Sequence, residues 1–297
     1  MQHRTLGYSD LYVSVIGLGC MSLGHDHAQN ARVIHAALDH GVTFIDTADL
    51  YDKGFNEESV GKALRGRRDR VVLATKVGNQ WRPDGRGWDW NPRKAYILQA
   101  VHASLRRLQT DCIDLYQLHG GTLEDPIDEA IEAFEQLKQQ GHIRHYGISS
   151  IRPNVIRTWT ARSQMQSVMT QYSLLDRRPE EETLDHLHAH SRSVVVRGAL
   201  AKGLLAGKSP REYLGLSAEP VAEVQQALRA QGQGQDMGPV ALQYVLAHPA
   251  VATIAVGASS EAQAIANAMA SDLPPLTVEQ HMALQAVAPV LRYEQHR

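Results

Sequence analysis

Short apolar runs and longer amphipathic stretches take turns along the whole chain. The runs at 13–16, 42–46, 71–76, 113–119, 145–149, 166–171, 193–196 and 251–256 are four to seven positions long. That is the length and character of a strand buried on both faces. Between them, apolar positions recur every three or four residues, as at Val33, Ala36 and Ala37 before His40, which is the stripe of an amphipathic helix. The spacing predicts helices over 28–40, 57–65, 92–108, 126–140, 154–161, 180–190, 239–247 and 261–269, with a last one over 277–291. Gly41 and Gly141 stand where two of these stop, and Pro92 and Pro153 where two begin. Eight strands, nearly all separated by a helix, predict an α/β fold, a (β/α)8 TIM barrel forming one domain over 1–297. Upstream, Gly7-Tyr8-Ser9-Asp10 reads as a turn between two short polar strands, a hairpin capping the bottom of the barrel. Two connections are long: 78–91, rich in Gly, Asp and Trp, and 208–238, with a weak helix around 221–231. Loops of that length in a compact domain usually serve binding.

The polar residues that end the runs carry the chemistry. Phe44-Ile45 leads into Asp46, and Tyr51 follows in the same connection. The run at 71–75 leads into Lys76, and the run that contains Asp114 ends on Leu118-His119. An acid, a phenol, an ammonium and an imidazole at successive strand ends converge only if those strands lie side by side and point the same way. The C-terminal ends of parallel strands are where such barrels hold their active sites. A phenol, with an ordinary pKa of about 10, is a poor acid at neutral pH. A neighbouring ammonium stabilises the phenolate, and a buried lysine needs a carboxylate to stay charged, which Asp46 can supply. A histidine can hydrogen-bond and orient the reacting oxygen. The set suits proton delivery to a carbonyl oxygen as hydride reaches its carbon. None of the four is an obvious nucleophile or metal ligand, so the hydride must come from a cofactor.

Composition narrows the setting. The chain has 297 residues, of which 43% are hydrophobic, and a formal net charge of −2. The core is ample, and nothing in the charge calls for nucleic acid or an anionic membrane. Cys20 and Cys112 are the two cysteines. They give neither a disulfide framework nor a CxxC metal pair, and a reducing cytoplasm is the simplest setting. The stretch 11–23 is fairly apolar, but Asp10 precedes it and Gly17 and Gly19 break it, so a secretory signal is not expected. No run reaches the roughly 20 apolar residues of a membrane span. Gly17-x-Gly19 has Ser22 where a dinucleotide fingerprint needs its third glycine, so it reads as a strand end. His25-Asp26-His27 lacks companion ligands at strand ends, and of His186, His188 and His190 only the first and last share a helix face. No metal is expected.

In combination, Asp46-Thr47-Ala48-x-x-Tyr51, Thr75-Lys76 and Asp114-x-x-x-Leu118-His119 resemble the aldo-keto reductases, as do Gly17-Leu18-Gly19, Gly147-Ile148-Ser149 and Gly257-Ala258-Ser259-Ser260. The match keeps the family's order from about residue 4 to residue 270. The resemblance implies a barrel that reduces aldehydes and ketones with NADPH and no metal. Tyr51 would be the general acid, Lys76 would lower its pKa, Asp46 would hold Lys76, and His119 would position the carbonyl. It also implies a cofactor path. Ser149, Ser150 (where the family usually has asparagine) and Gln171 would meet the nicotinamide amide. Gly19, Cys20 and Met21 would lie on the nicotinamide side. Leu200, Lys202, Gly203 and Leu205 would wrap the pyrophosphate. Gly257, Ser259, Gln263 and Asn267 would take the adenosine end, with Ser259 and Ser260 at a helix N-terminus suited to a phosphate.

Two departures stand out. Arg197, followed by Gly198, occupies the place where many relatives stack a tyrosine on the nicotinamide. A guanidinium can stack on a ring, but it sets positive charge beside a ring that is cationic when oxidised, which implies weaker binding of the oxidised cofactor. Ser259 stands where many relatives have an arginine for the 2′-phosphate, so NADH is an alternative to NADPH. Three tryptophans, Trp81, Trp88 and Trp90, fall in the connection 78–91 and read as a lid over an apolar or aromatic carbonyl substrate. The short tail 292–297 implies an open, tolerant pocket. The alternatives to a reductase are a nucleotide-binding sensor with weak catalysis and a metal-dependent barrel hydrolase. The expected partner is a small carbonyl compound, and oligomeric state is not encoded in the pattern.

Overall fold

A computed structural model describes residues 1–232 and 236–297. A hairpin, β1 (His3–Thr5) and β2 (Tyr12–Ser14), precedes the barrel strands β3 (Ile16–Gly19), β4 (Phe44–Asp46) and β5 (Val72–Val77). A ribbon, β6 (Asn79–Trp81) and β7 (Trp88–Trp90), comes next. The barrel then continues with β8 (Ile113–Leu118), β9 (Ile143–Ser149), β10 (Ser167–Gln171), β11 (Ser193–Arg197) and β12 (Val251–Gly257). These eight barrel strands are parallel, each pairs with its successor, and β12 closes on β3. The helices are α1 (His27–Asp39), α2 (Phe55–Ala63), α3 (Lys94–Leu108), α4 (Ile127–Gln139), α5 (Pro153–Arg162), α6 (Thr183–Ala189), α7 (Ala218–Gln231), α8 (Met237–Leu246), α9 (Glu261–Met269) and α10 (Val278–Val287). Among the described residues no helix is long and apolar enough to cross a membrane.

Burial on both strand faces explains the unbroken apolar runs. Inside the barrel, Phe44, Val72, Ala74, Leu115, Met169 and Val195 form one buried cluster with Leu6, Leu11 and Val13 of the hairpin. The hairpin is therefore a plug as well as a cap. Outside, Ile45, Leu73, Tyr116 and Ile148 pack against the helices together with Phe134 and Trp159. Asp114 faces this outer side. Its carboxylate takes Arg68 at 2.7 Å, Arg144 at 2.8 Å and the Leu73 amide at 2.8 Å. Arg144 also reaches Asp10 at 2.8 Å, so this acid ties the hairpin to the barrel.

Several boundaries differ from the sequence reading, each for a local reason. The run 13–16 is split: Val13 and Ser14 belong to β2, and the barrel strand begins at Ile16. Ser14 and Thr43 exchange backbone-to-hydroxyl bonds of 2.9 Å, and the Ser14 hydroxyl donates to the Ile16 carbonyl at 2.6 Å, which turns the chain there. The helix expected from Pro92 begins at Lys94, because Asn91 accepts from the Arg93 amide and makes a turn first. The stretch 180–190 divides into a 3-10 turn, Arg178–Glu181, and α6. The last helix stops at Val287, since Ala288 precedes Pro289 and takes extended geometry. The connection 78–91 is an ordered ribbon, with Trp81 opposite Trp88 and Arg82 bonded to Asp89 at 2.6 Å. Within 208–238 the helix α7 is longer than expected, and 233–235 lie outside the described residues.

The plug gives a stability prediction. Leu115 is fully buried in it, so Leu115→Ala should lower unfolding free energy by about 2–5 kcal/mol in urea titration. A loss under about 1 kcal/mol would contradict a close-packed barrel interior.

Candidate active site

Side chains on a strand alternate between faces, and this parity builds the site. Phe44 is in the interior cluster and Asp46 follows two positions on; Val72 and Ala74 lead in the same way to Lys76; Leu115 leads to Gln117 and then His119. Met169 leads to Gln171 and Val195 to Arg197. Lys76 pairs in register with Gln117, and Gln171 with Arg197. A polar layer therefore lies directly on the apolar plug at the C-terminal mouth of the barrel.

Lys76 is the centre of that layer. Its Nζ lies 2.7 Å from Asp46 Oδ2, 2.7 Å from the Thr47 carbonyl and 3.4 Å from Tyr51 Oη. Lys76 is fully buried and Asp46 only 4% exposed. The Gln117 amide approaches the other oxygen of Asp46 at 3.4 Å. Burial works against both charges. It pushes the Asp46 carboxyl up against the pull of Lys76, and it would lower Lys76, but Asp46 and then Tyr51 outweigh it and hold the ammonium above its ordinary range. The Thr47 carbonyl is itself fixed. Thr47 donates its hydroxyl to Asn56 Oδ1 at 2.7 Å, and Asn56 Nδ2 donates to the Cys20 carbonyl at 2.8 Å.

Tyr51 opens a 3-10 turn in which Asp52, Lys53 and Gly54 all have positive φ, at 48°, 54° and 90°. At Gly54 a side chain would also collide with Arg107, whose Cδ would lie 2.6 Å from the added carbon. Arg107 is held at 2.6 Å by the buried Glu57, which also accepts from Thr75 at 2.6 Å. The His119 ring meets the Tyr51 ring edge-on, centroids 6.0 Å apart. His119 Nδ1 is buried and without a partner among the described residues. Burial, then the charges of Lys76 and Arg197, depress its pKa to about 3. The imidazole is neutral at working pH.

A cleft of about 1010 Å³ runs from Met21, Tyr51 and His119 past Ser149, Ser150, Gln171, Arg197 and Gly198 to Lys202. Its far wall is the C-terminal segment around Tyr293. A second cavity of about 520 Å³ shares Met21, Leu50 and Tyr51 and is bounded by His25, Asp52, Lys53, Trp81 and Trp88. The Lys53 ammonium sits 5.4 Å from the Trp81 ring centroid. Tyr51 is thus common to both spaces.

Most of the other sequence candidates do not line these two cavities. The Cys20 thiol is fully buried with its pKa pushed up by that burial, and its carbonyl serves Asn56. Leu205 is buried in the core, and Gly19, Leu200 and Gly203 do not line either cavity. Lys202 and Gly203 make a left-handed turn at φ 58° and 89°. Gly257 and Ser259 lead into α9, which carries Gln263 and Asn267; Ser259 donates from N and Oγ to Gln263 Oε1 at 2.9 and 3.1 Å, and Asn267, near the helix's far end, donates to the Gly257 carbonyl at 3.3 Å. Trp90 stands apart from Trp81 and Trp88. It lines neither cavity, packs against Gly78 and Gly120, and donates its Nε1 to Asp125 at 2.9 Å. In the histidine-rich stretches, Asp26 caps α1, His27 stacks on Phe55, and no group of three or more His, Cys, Asp or Glu suited to a metal occurs among the described residues.

Residues missed in the sequence include Gln117, which shared the inward parity of Leu115 and His119 and was findable on that ground. Thr47 stands in the motif with Asp46 but its carbonyl's contact with Lys76, like the contacts of Asn56 and the tail segment, arises only in the fold. The row of donors from Ser149 and Gln171 to Lys202, with the capped start of α9 beyond, fits an anionic dinucleotide. Lys202 has no carboxylate within ion-pair reach among the described residues.

A neutral His119 has a measurable consequence. Its folded pKa lies below its unfolded value, so the unfolded chain binds the extra proton first. Its contribution to stability should therefore fall as pH drops below about 6.5 and level off near pH 3. In NMR spectra the His119 ring carbons should show no titration between about pH 5 and 8. A midpoint near 6.5 would contradict the buried, cation-flanked setting.

The molecule has clear relatives. The family model described as the aldo/keto reductase family matches residues 15–289. The chain is 49% identical over 306 residues to the uncharacterized oxidoreductase YqkF of Bacillus subtilis, covering 100% of each. The holo form of aldo-keto reductase AKR11C1 from Bacillus halodurans superposes with a TM-score of 0.95 at 52% identity, covering 100% of this chain and 99% of that one. An aldo/keto reductase of Klebsiella pneumoniae, solved in complex with NADP and acetate, superposes with a TM-score of 0.79 at 30% identity over 96% of this chain and 94% of its own.

Proposed function

Because this chain belongs to the aldo/keto reductase family and is an NAD(P)H-dependent oxidoreductase acting on carbonyl compounds, we propose that it reduces aldehydes or ketones with Tyr51 as the proton donor and NADPH as the hydride donor. The observation that carries this reading is the buried ammonium of Lys76 set between Asp46 and Tyr51. The reduced nicotinamide supplies the hydride when bound. Tyr51 Oη gives its proton to the carbonyl oxygen, and Lys76 stabilises the negative charge left on that oxygen of the phenol. Asp46 keeps Lys76 charged and aimed. His119, neutral, hydrogen-bonds the carbonyl oxygen and fixes its direction.

The cleft lined by Ser149, Ser150, Gln171, Arg197 and Lys202 takes the cofactor, and the cavity beside Trp81 and Trp88 takes the body of the substrate. The two indoles favour an aromatic or otherwise apolar aldehyde. The Klebsiella pneumoniae relative holds NADP, which supports the phosphorylated cofactor here, with Ser259 and Ser260 at the start of α9 as its adenosine-end partners. Arg197 bonds Gln171 Oε1 at 2.9 Å, so it bears on the nicotinamide together with Gln171.

The test uses NADPH and 4-nitrobenzaldehyde. Tyr51→Phe should bind NADPH as the parent does and lose at least roughly 100-fold in kcat. Turnover at the parent rate would show that another group supplies the proton.

A further inference from the structure

We propose that Asp176 is a positioning residue that sets which end of the Gln171 amide faces the nicotinamide carboxamide. The proposal rests on the cofactor reading above. Gln171 ends β10 and lines the cleft. Its Nε2 donates to Asp176 Oδ2 at 2.8 Å, and its Oε1 accepts from Arg197 Nη1 at 2.9 Å. The two ends of an amide have nearly the same shape, so only its partners decide its orientation. A carboxylate can only accept and a guanidinium can only donate. Flanked by one of each, Gln171 has a single satisfied orientation. In that orientation one N–H and one oxygen lone pair remain free, the complement of a carboxamide.

Asp176 is built to hold this role. It is fully buried and takes Arg178 through both oxygens, at 2.7 and 2.8 Å. Such a two-bond contact fixes the plane of the carboxylate as well as its charge. A β-bridge with Ser173, with backbone bonds of 3.2 and 3.0 Å, pins the turn that carries it. Arg178 in turn lies 5.0 Å from the Tyr293 ring centroid, and the Tyr293 amide donates to Glu181 at 2.8 Å. A continuous path thus joins the C-terminal wall of the cleft to the amide of Gln171. A buried carboxylate costs desolvation that its ion pair alone does not always recover. Its use here is that three donors, one on Gln171 and two on Arg178, need an acceptor-only group, which asparagine is not.

The experiment compares two ligands by tryptophan fluorescence titration: NADPH, and 2′-phospho-ADP-ribose, which has the adenosine end and the pyrophosphate but no nicotinamide. In Asp176→Ala the Kd for NADPH should rise roughly tenfold, as for a lost hydrogen bond to a charged group. The Kd for 2′-phospho-ADP-ribose should stay within about twofold. Asp176→Asn, nearly the same shape, should show a smaller change of the same selectivity, and it decides the matter if the alanine variant does not fold. Equal weakening of both ligands, or of neither, would overturn the proposal and leave Asp176 a purely structural residue. Gln171→Leu separates the two levels. If it weakens NADPH while the Asp176 variants do not, the cofactor reading stands and the role of Asp176 falls. If it leaves NADPH unaffected, the reading of Gln171 itself is wrong and the proposal falls with it.

Discussion

A lysine ammonium with no exposed surface, seated on an apolar plug, is the constraint from which the rest of this site follows. Such a charge persists only with a carboxylate and further acceptors around it. Asp46 and the Thr47 carbonyl, each at 2.7 Å, meet that need on one side. On the other side the contact is Tyr51, at 3.4 Å. Of these three contacts, Tyr51 is the one that also borders both cavities. Charge stabilisation is directed at the group that borders both cavities.

The surroundings turn that local pair into a fixed geometry. Thr47 is held by Asn56, and Asn56 by the first barrel strand's exit at Cys20. The left-handed turn after Tyr51 is held by Arg107 and Glu57 packed beneath it. Strained backbone of this kind persists only where neighbours over-determine it. Across the mouth, Arg197, Gln171, Asp176 and Arg178 form a second ordered chain. The first fixes Tyr51 and the second fixes the wall of the cleft around Gln171. The neutral His119 lies between them, kept from protonating by burial and by cations from both sides.

Much of this was legible in the sequence because barrel strands are buried on both faces and several end in a polar residue that the fold brings to one mouth. The eight runs, the hairpin and the four strand-end groups all follow from that pattern. The misreadings have physical causes as well. The run 13–16 gave no sign that Ser14 and Thr43 bind each other and bend the chain. Trp88 and Trp90 look equivalent in sequence, yet strand alternation in the ribbon cannot by itself reveal that Gly78 and Gly120 leave room for the Trp90 ring. Asp176 lies in a turn with no apolar periodicity, and its partners come from β10 and from its own turn, so no motif at fixed spacing announced it.

The most direct measurement of the central claim is a double-mutant cycle on kcat/KM with Asp46→Asn and Lys76→Met. If the carboxylate acts by keeping the ammonium charged and placed, the two losses are strongly non-additive and the double variant is no worse than about the poorer single one. Additive losses would mean that Asp46 and Lys76 act independently, and the account of a single buried pair serving the phenol would be contradicted.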